Sequence, residues 1–203
     1  MFQALWNRGV YWPGMRADCA QEAGSCHQCL SHNVARIGFH PLSPITASQP
    51  MDHVAVDLLG PLPVSSTGAT FVCVLVDVAT GYIVARSMTG KDERVTAETL
   101  FAMFCDYGVP RIVQSDRGGE FVNSVMTWMA RASGFEHRLA SAYHPRANGR
   151  AENGVRRICD ALRKMLMGDT PNWHTRLPAA QLAVNMRTQR VRGASAFALM
   201  FAR

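Results

Sequence analysis

No stretch of this 203-residue chain approaches the roughly 18 consecutive apolar residues that a membrane-spanning helix needs, so none is expected. The opening MFQALWNRGVYWPGM has no basic segment followed by an apolar run, which argues against a secretory leader. Internal repeats and low-complexity tracts are lacking too. No Ser/His or Cys/His arrangement suggests a covalent nucleophile. Lysine is scarce: of 21 basic residues only Lys91 and Lys164 are lysine. Arginine's planar fork suits bidentate contact with phosphate, and a GC-rich coding sequence would produce the same bias.

What is present suffices for one core of ordinary size with a small appendage. Apolar residues make up 48% of the chain, and the mean hydropathy of −0.03 lies near zero. The net charge is +6, and it is unevenly placed. Residues 138–164 hold seven basic side chains (Arg138, Arg146, Arg150, Arg156, Arg157, Arg163, Lys164) against Glu152 and Asp160, and so supply most of the excess. Such a stretch around a carboxylate reads either as a solvated helix face or as the track of a phosphate backbone. Six cysteines without a leader point to reduced thiols. Of these, Cys73, Cys105 and Cys159 lie in apolar stretches and are expected in the core.

Three regions separate by composition. Residues 1–40 show two helical patterns, Met1 to Asn7 and another after Pro13 running towards Gly24, with Tyr11 and Trp12 between them. Residues 41–51 carry three prolines among Ser and Thr and read as a linker. From Asp52 onward the pattern turns to strands. HVAVDLL stops at Gly60-Pro61, and FVCVLVDV and YIVARSM should pair as a hairpin around Ala79-Thr80-Gly81. A helix capped by Thr89 or Asp92 should cover Ala97 to Tyr107, and RIVQS should be a strand leading into Asp116. Glu120 to Ala132 should be a helix ended by Gly134, and FEHRLA the next strand. After the loop SAYHPRANG, the apolar residues Ala151, Val155, Ile158, Leu162 and Met165 recur at helical spacing. A last helix is expected over Trp173 to Arg187. The order β-β-β-α-β-α-β-α-α predicts an α/β fold with a mixed sheet.

Three carboxylates stand where such elements begin or end: Asp57 in HVAVDLLGP, Asp116 in IVQSDRGGEF, and Glu152 in NGRAENGVRR. Between the second and third lie 35 residues. Each alone reads as a structural acid: a strand end, an Asx turn, a first-turn helix acid favoured by the helix dipole. Together they suit two-metal phosphoryl chemistry, because hard divalent cations prefer oxygen ligands and clustered carboxylates need cations to hold them. Asp77 has no partner in this trio and reads as a hairpin residue. Arg156, one helical turn beyond Glu152 on the same flank, is placed to assist a phosphate.

With these residues assembled, the chain resembles the integrases of gypsy-type LTR retrotransposons. The carriers are YWPGM at 11–15 with CHQC at 26–29, Asp57 to Pro63, SDRGGEF at 115–121, YHPRANGRAEN at 143–153, and Trp173…Asn185. The resemblance implies a ribonuclease-H-like five-stranded mixed sheet over residues 52–203, preceded by a partial HHCC-type zinc-binding helical segment (1–40) and the linker (41–51). It implies a D,D-35-E polynucleotidyl transferase that nicks DNA 3′ ends and transfers strands. Asp57, Asp116 and Glu152 would be both catalytic residues and ligands of two Mg²⁺ or Mn²⁺ ions. His144, Asn148, Arg150, Arg156, Arg157 and Lys164 would contact DNA. The implied partners are duplex DNA, at element ends and target, and further copies of the chain, with no membrane and no small-molecule substrate. The implied location is the nucleus, after a cytoplasmic phase in an element particle.

The chain departs from this pattern in the zinc module. Cys26 and Cys29 supply two ligands, but the two histidines expected before them do not appear after Met1. A structural zinc site needs four ligands, and His27 and His32 are the nearest substitutes. Near the C-terminus, Ala196 follows Ser195 where the family usually has proline, and a small C-terminal DNA- or chromatin-binding domain is expected to be missing. The intact acids favour an enzyme. The incomplete zinc module favours a second reading, a truncated or host-captured relic that binds nucleic acid without catalysis. A ribonuclease H acting on RNA–DNA hybrids shares the fold and metal chemistry but differs in its carboxylate pattern.

Overall fold

In a computed structural model the chain divides into two units, Met1–Pro44 and Ile45–Arg203. The structure describes residues 2–25, 47–140, 149–166 and 170–203. In the first unit, helices α1 (Phe2–Trp6) and α2 (Met15–Ser25) match the two patterns read from the sequence. Trp12 donates its indole N–H to Asp18 at 2.6 Å, Trp6 meets Tyr11 edge-on, and Met15 and Cys19 are buried.

The second unit is built on five strands: β1 (His53–Leu59), β2 (Phe71–Asp77), β3 (Ile83–Met88), β4 (Ile112–Ser115) and β5 (Glu136–Leu139). They lie in the order β3-β2-β1-β4-β5. β2 is antiparallel to both of its neighbours, β1 and β3, while β4 and β5 run parallel to β1. This is the mixed sheet expected from the order of elements. Helices α3 (Glu93–Tyr107) and α4 (Ser124–Ser133) follow β3 and β4, and α5 (Gly149–Leu166), α6 (Trp173–Met186) and α7 (Ala196–Phe201) follow β5.

The pleat sends alternate residues of each strand into two separate cores. Val54, Val56, Cys73, Leu75 and Val113 pack with Leu100, Met103, Phe104 and Met126 from α3 and α4. Val72, Val74, Val76 and Ile83 pack with Ile158 and Leu162 of α5 and Trp173, Leu177 and Ala180 of α6. With both faces covered, β2 is buried over six of its seven residues, and its run of Val and Leu follows from that. The edge strand β3 is closed by side chains of α6. Asn185 accepts from the Ile83 N–H at 2.9 Å and donates to the Ile83 carbonyl at 2.8 Å, while Gln181 accepts from the Ala85 N–H. An edge whose backbone groups are satisfied in this way offers no template to another strand. Trp173 is buried and donates its indole N–H to the Pro63 carbonyl. The Trp173…Asn185 motif is therefore architectural.

Several expectations need correction. The helix expected from Glu120 begins instead at Ser124, because the Asn123 side chain accepts from the Met126 N–H and caps it; residues before it form a turn. Cys73 is in the core as expected, but Cys105 is exposed and Cys159 only partly buried. Both occupy helix positions turned from the apolar stripe, which a count of apolar neighbours in sequence does not reveal. Asp92 is the cap of α3, accepting from the Val95 N–H at 3.1 Å.

Candidate active site

Asp57 lies near the C-terminal end of β1, and Asp116 directly follows β4. The parallel register pairs His53 with Ile112, Val54 with Val113 and Ala55 with Gln114. Continued two residues further, it sets Asp57 beside Asp116. Neighbouring strands are about 4.8 Å apart, and this pairing lies at the carboxyl ends of parallel strands, where open sheets of α and β elements place their ligands. Parity decides the face. Val54, Val56 and Val113 point towards α3 and α4, so Asp57 and Asp116 belong to the opposite face, the one covered by α5.

Glu152 comes to that face from the first turn of α5 and is exposed. The approach of α5 to the sheet depends on Gly154, two residues along. A Cβ at that position would run into the Val76 side chain, with Val74 and Ile83 each 3.7 Å away. Gly154 therefore occupies the point of closest contact between helix and sheet, a role the sequence reading missed. The available signal was a glycine inside a helical pattern, where it costs about 1 kcal/mol relative to alanine unless packing requires it.

The electrostatics tie the acids together. Asp57 is half-buried, and its carboxyl is pushed up to about 6, first by burial and then by the negative charges of Asp116, Glu152 and Glu120. The Leu58 N–H, donated to its Oδ1 at 2.8 Å, pulls the other way. Glu120 is thus a fourth carboxylate in this neighbourhood, read in sequence only as the start of a helix. Its carboxyl group lies so close over Gly118 that a Cβ there would be 2.7 Å from it. Asp116 itself is oriented by an Asx turn, its Oδ1 accepting the Gly118 N–H at 3.0 Å. Behind that turn the Ser115 hydroxyl donates to the Asp116 carbonyl and lies 2.8 Å from His137 Nε2. Burial pushes the His137 imidazole down, which favours a neutral ring that donates to Ser115.

An oxygen-only donor set fits a hard divalent cation such as Mg²⁺. Among the described residues, however, no three His, Cys, Asp or Glu side chains stand close enough to hold a metal ion together. The arrangement is a pair of adjacent aspartates plus a glutamate within electrostatic reach.

The raised carboxyl of Asp57 has a consequence for stability. Its ionised form is disfavoured in the folded state, so the penalty is absent below pH 4, grows as pH rises from about 4 to about 6, and is constant above. Asp57→Asn should therefore stabilise the metal-free protein at pH 7 by about 1–2 kcal/mol, discounted for its partial exposure, and should lose that advantage near pH 4. Urea unfolding across this range in EDTA tests it; an advantage independent of pH would contradict the assigned cause.

The other expected site residues are distributed differently. Cys26, Cys29, His27, His32, His144 and Asn148 lie outside the described residues. Arg156 and Lys164 are exposed on α5; among the described residues Arg156 makes a 3.5 Å contact to Asn153. Arg157 donates to the Val184 carbonyl at 3.0 Å and so links α5 to α6. Arg150 donates to the Val78 carbonyl at 2.7 Å. Arg138 of the basic stretch forms a two-pronged pair with Glu136. Asp77 is fully buried and organises the β2–β3 turn, accepting from the N–H groups of Met51 and Thr80 and from the Thr80 hydroxyl.

Residues 47–145 match the family described as "Integrase core domain", a span that includes Asp57 and Asp116 and ends before Glu152. The Pro-Pol polyprotein of simian foamy virus type 3 is 32% identical over 176 residues, 86% of this chain and 15% of that protein. The retrovirus-related Pol polyprotein from transposon 412 of Drosophila melanogaster is 25% identical over 198 residues, 97% of this chain and 16% of that protein. The chain thus spans about 15% of the length of the foamy virus relatives it matches. Among solved structures, a chain of the simian T-cell lymphotropic virus intasome with PP2A regulatory subunit B56 gamma superposes with a TM-score of 0.75 at 16% identity, covering 100% of this chain and 74% of that one. The catalytic core domain of BIV integrase gives 0.62 at 17% identity, covering 75% of this chain and 95% of that one. These likenesses establish a ribonuclease-H-like integrase core fold.

Proposed function

We propose, from the match of residues 47–145 to the integrase core domain family and the 32% identity to a foamy virus Pro-Pol polyprotein, that this chain is an integrase of the retroviral and retrotransposon kind, a metal-dependent polynucleotidyl transferase that nicks DNA 3′ ends and joins them to target DNA through Asp57, Asp116 and Glu152. What supports the reading is that Asp116 and Glu152 both bear electrostatically on Asp57 from one sheet face. Asp116 does so by strand register and Glu152 by the close seating of α5 on Gly154.

Asp57 would be shared between two Mg²⁺ or Mn²⁺ ions, with Asp116 completing one ligand set and Glu152 the other. Such ions supply activation of the attacking oxygen and charge stabilisation at the leaving 3′ oxygen. The chain's own residues do the rest. Asp57 must give up its proton, so cation affinity should fall as pH drops through about 6. Asp116 is held ready by its Asx turn, and Arg156, exposed one helical turn beyond Glu152, presents a charge for a DNA phosphate. Arg157 and Lys164 extend the positive flank of α5, and His144 and Asn148, which precede the helix in sequence, would contact the DNA ends. We assign the partners as duplex DNA and further copies of the chain, and the site of action as the nucleus. Residues 1–40 would act as a partial zinc-binding segment through Cys26 and Cys29, joined by 41–51 to the core.

Strand-transfer and disintegration assays with Mg²⁺ or Mn²⁺ test this, with Glu152→Gln as control. Activity lost in the control supports the transferase. DNA binding without activity in the wild type would favour the relic reading instead.

A further inference from the structure

The β2–β3 turn receives side chains from two distant parts of the core unit. The Val78 carbonyl accepts from Arg150 Nη1 at 2.7 Å and from Arg192 Nη2 at 3.2 Å. Arg150 opens α5, two residues before Glu152. Arg192 sits in the tight turn between α6 and α7, closed by the Gln189 N–H to the Ala194 carbonyl and the Gly193 N–H to the Gln189 carbonyl. From the same turn Gln189 donates to the Thr80 carbonyl at 3.2 Å and accepts from Arg192 Nη1. Gly81 permits this seating. Its φ is +73°, and a Cβ there would lie 2.8 Å from Arg192 Nη1 and 3.1 Å from the Gln189 amide nitrogen.

The turn is in turn fastened to the strand that carries Asp57. The Val78 N–H bonds to the His53 carbonyl at 2.9 Å, and the buried Asp77 binds the Met51 N–H just before β1. The negative charge of Asp77 favours the Arg150 guanidinium, while burial and the positive charge of Arg192 oppose it. The chain of contacts runs from Asp57 along β1 to Val78, and from Val78 through Arg150 to the first turn of α5.

We propose that Arg150 and Arg192 are positioning residues for Glu152, which clamp the start of α5 onto the β2–β3 turn so that the segment after α6 sets where Glu152 meets Asp57. The inference rests on the transferase reading for its catalytic consequence. It assigns Arg150, read from sequence as a DNA contact, a structural bond that a neighbouring arginine shares. Arg192 is the decisive residue, because it donates to Val78 and Gln189 and is not among the residues expected to contact DNA.

The test uses the full chain carrying Arg192→Ala, Arg150→Ala and both. Amide hydrogen exchange at residues 153–157 of the metal-free protein, the first amides bonded within α5, should quicken by about 10-fold in Arg192→Ala, with the middle of α6 unchanged. Strand-transfer kcat should fall by about 10–100-fold, while affinity for a short duplex stays within about 2-fold. The effect of the double variant should depart from the product of the two single effects, since both arginines donate to one carbonyl. Unchanged exchange at the start of α5 overturns the proposal, as does a loss of activity matched by a loss of DNA affinity. A wild type that proves inactive would defeat the functional reading only, because the exchange result still decides the clamp.

Discussion

On the proposed role of Asp116, Asp116→Asn is expected to lower DNA nicking by about 10³-fold or more while leaving the fold and DNA affinity in place, since losing a metal ligand would remove several kcal/mol of transition-state stabilisation. The substitution is conservative in every other respect. Asn keeps an oxygen that can accept the Gly118 N–H, the bond that shapes the turn after β4, and the residue is exposed, so no packing is disturbed. What disappears is a negative charge beside Asp57. A second effect follows from that loss: the Asp57 carboxyl, held up in part by Asp116, should titrate at lower pH. Nicking assays beside thermal melts and duplex binding measure the first effect, and carboxyl NMR titration the second. Full activity in this variant would remove Asp116 from the site.

Gly154→Val should be nearly as damaging to activity, without touching any acid. The new side chain would occupy space taken by Val76 on the central strand β2, which is hydrogen-bonded on both edges and cannot yield. The helix must lift instead. Overpacking of this kind costs about 1–3 kcal/mol. A displacement of about 1 Å at Glu152 can cost 10²-fold in rate even when the fold survives. The exposed neighbour Asn153→Ala is the control and should alter neither stability nor activity by much. Rate and melting temperature measured on both variants separate the outcomes. A stable Gly154→Val protein with normal activity would show that close seating of α5 is unnecessary.

The site was legible in sequence to differing degrees, and the differences have physical causes. Asp57, Asp116 and Glu152 were readable because each sits in a distinctive local string. Glu120 was read as a helix residue because an acid before an apolar periodic run looks like a first turn; the Asn123 cap, three residues on, moved the helix start past it. Gly154 was hidden because a missing side chain leaves no mark in a hydrophobic stripe. Arg150 and Arg157 were counted with the DNA-facing charge, although each donates to a backbone carbonyl contributed by a distant element. A count of basic residues carries no information on where a long side chain turns.

By itself the sequence determined the order of elements, the two apolar faces of β2, the amphipathic stripe of α5, and the presence of three acids at element ends. All of these follow from local periodicity and turn chemistry, which act over a few residues. The tertiary structure decided which acids come within electrostatic reach of one another. That depended on a two-residue continuation of the β1–β4 register, on the parity that turns both aspartates to the α5 face, and on the depth to which Gly154 lets the helix sink. Those are long-range contacts between segments about 60 to 100 residues apart. They exist only once strands pair and a helix docks, and no local pattern encodes them.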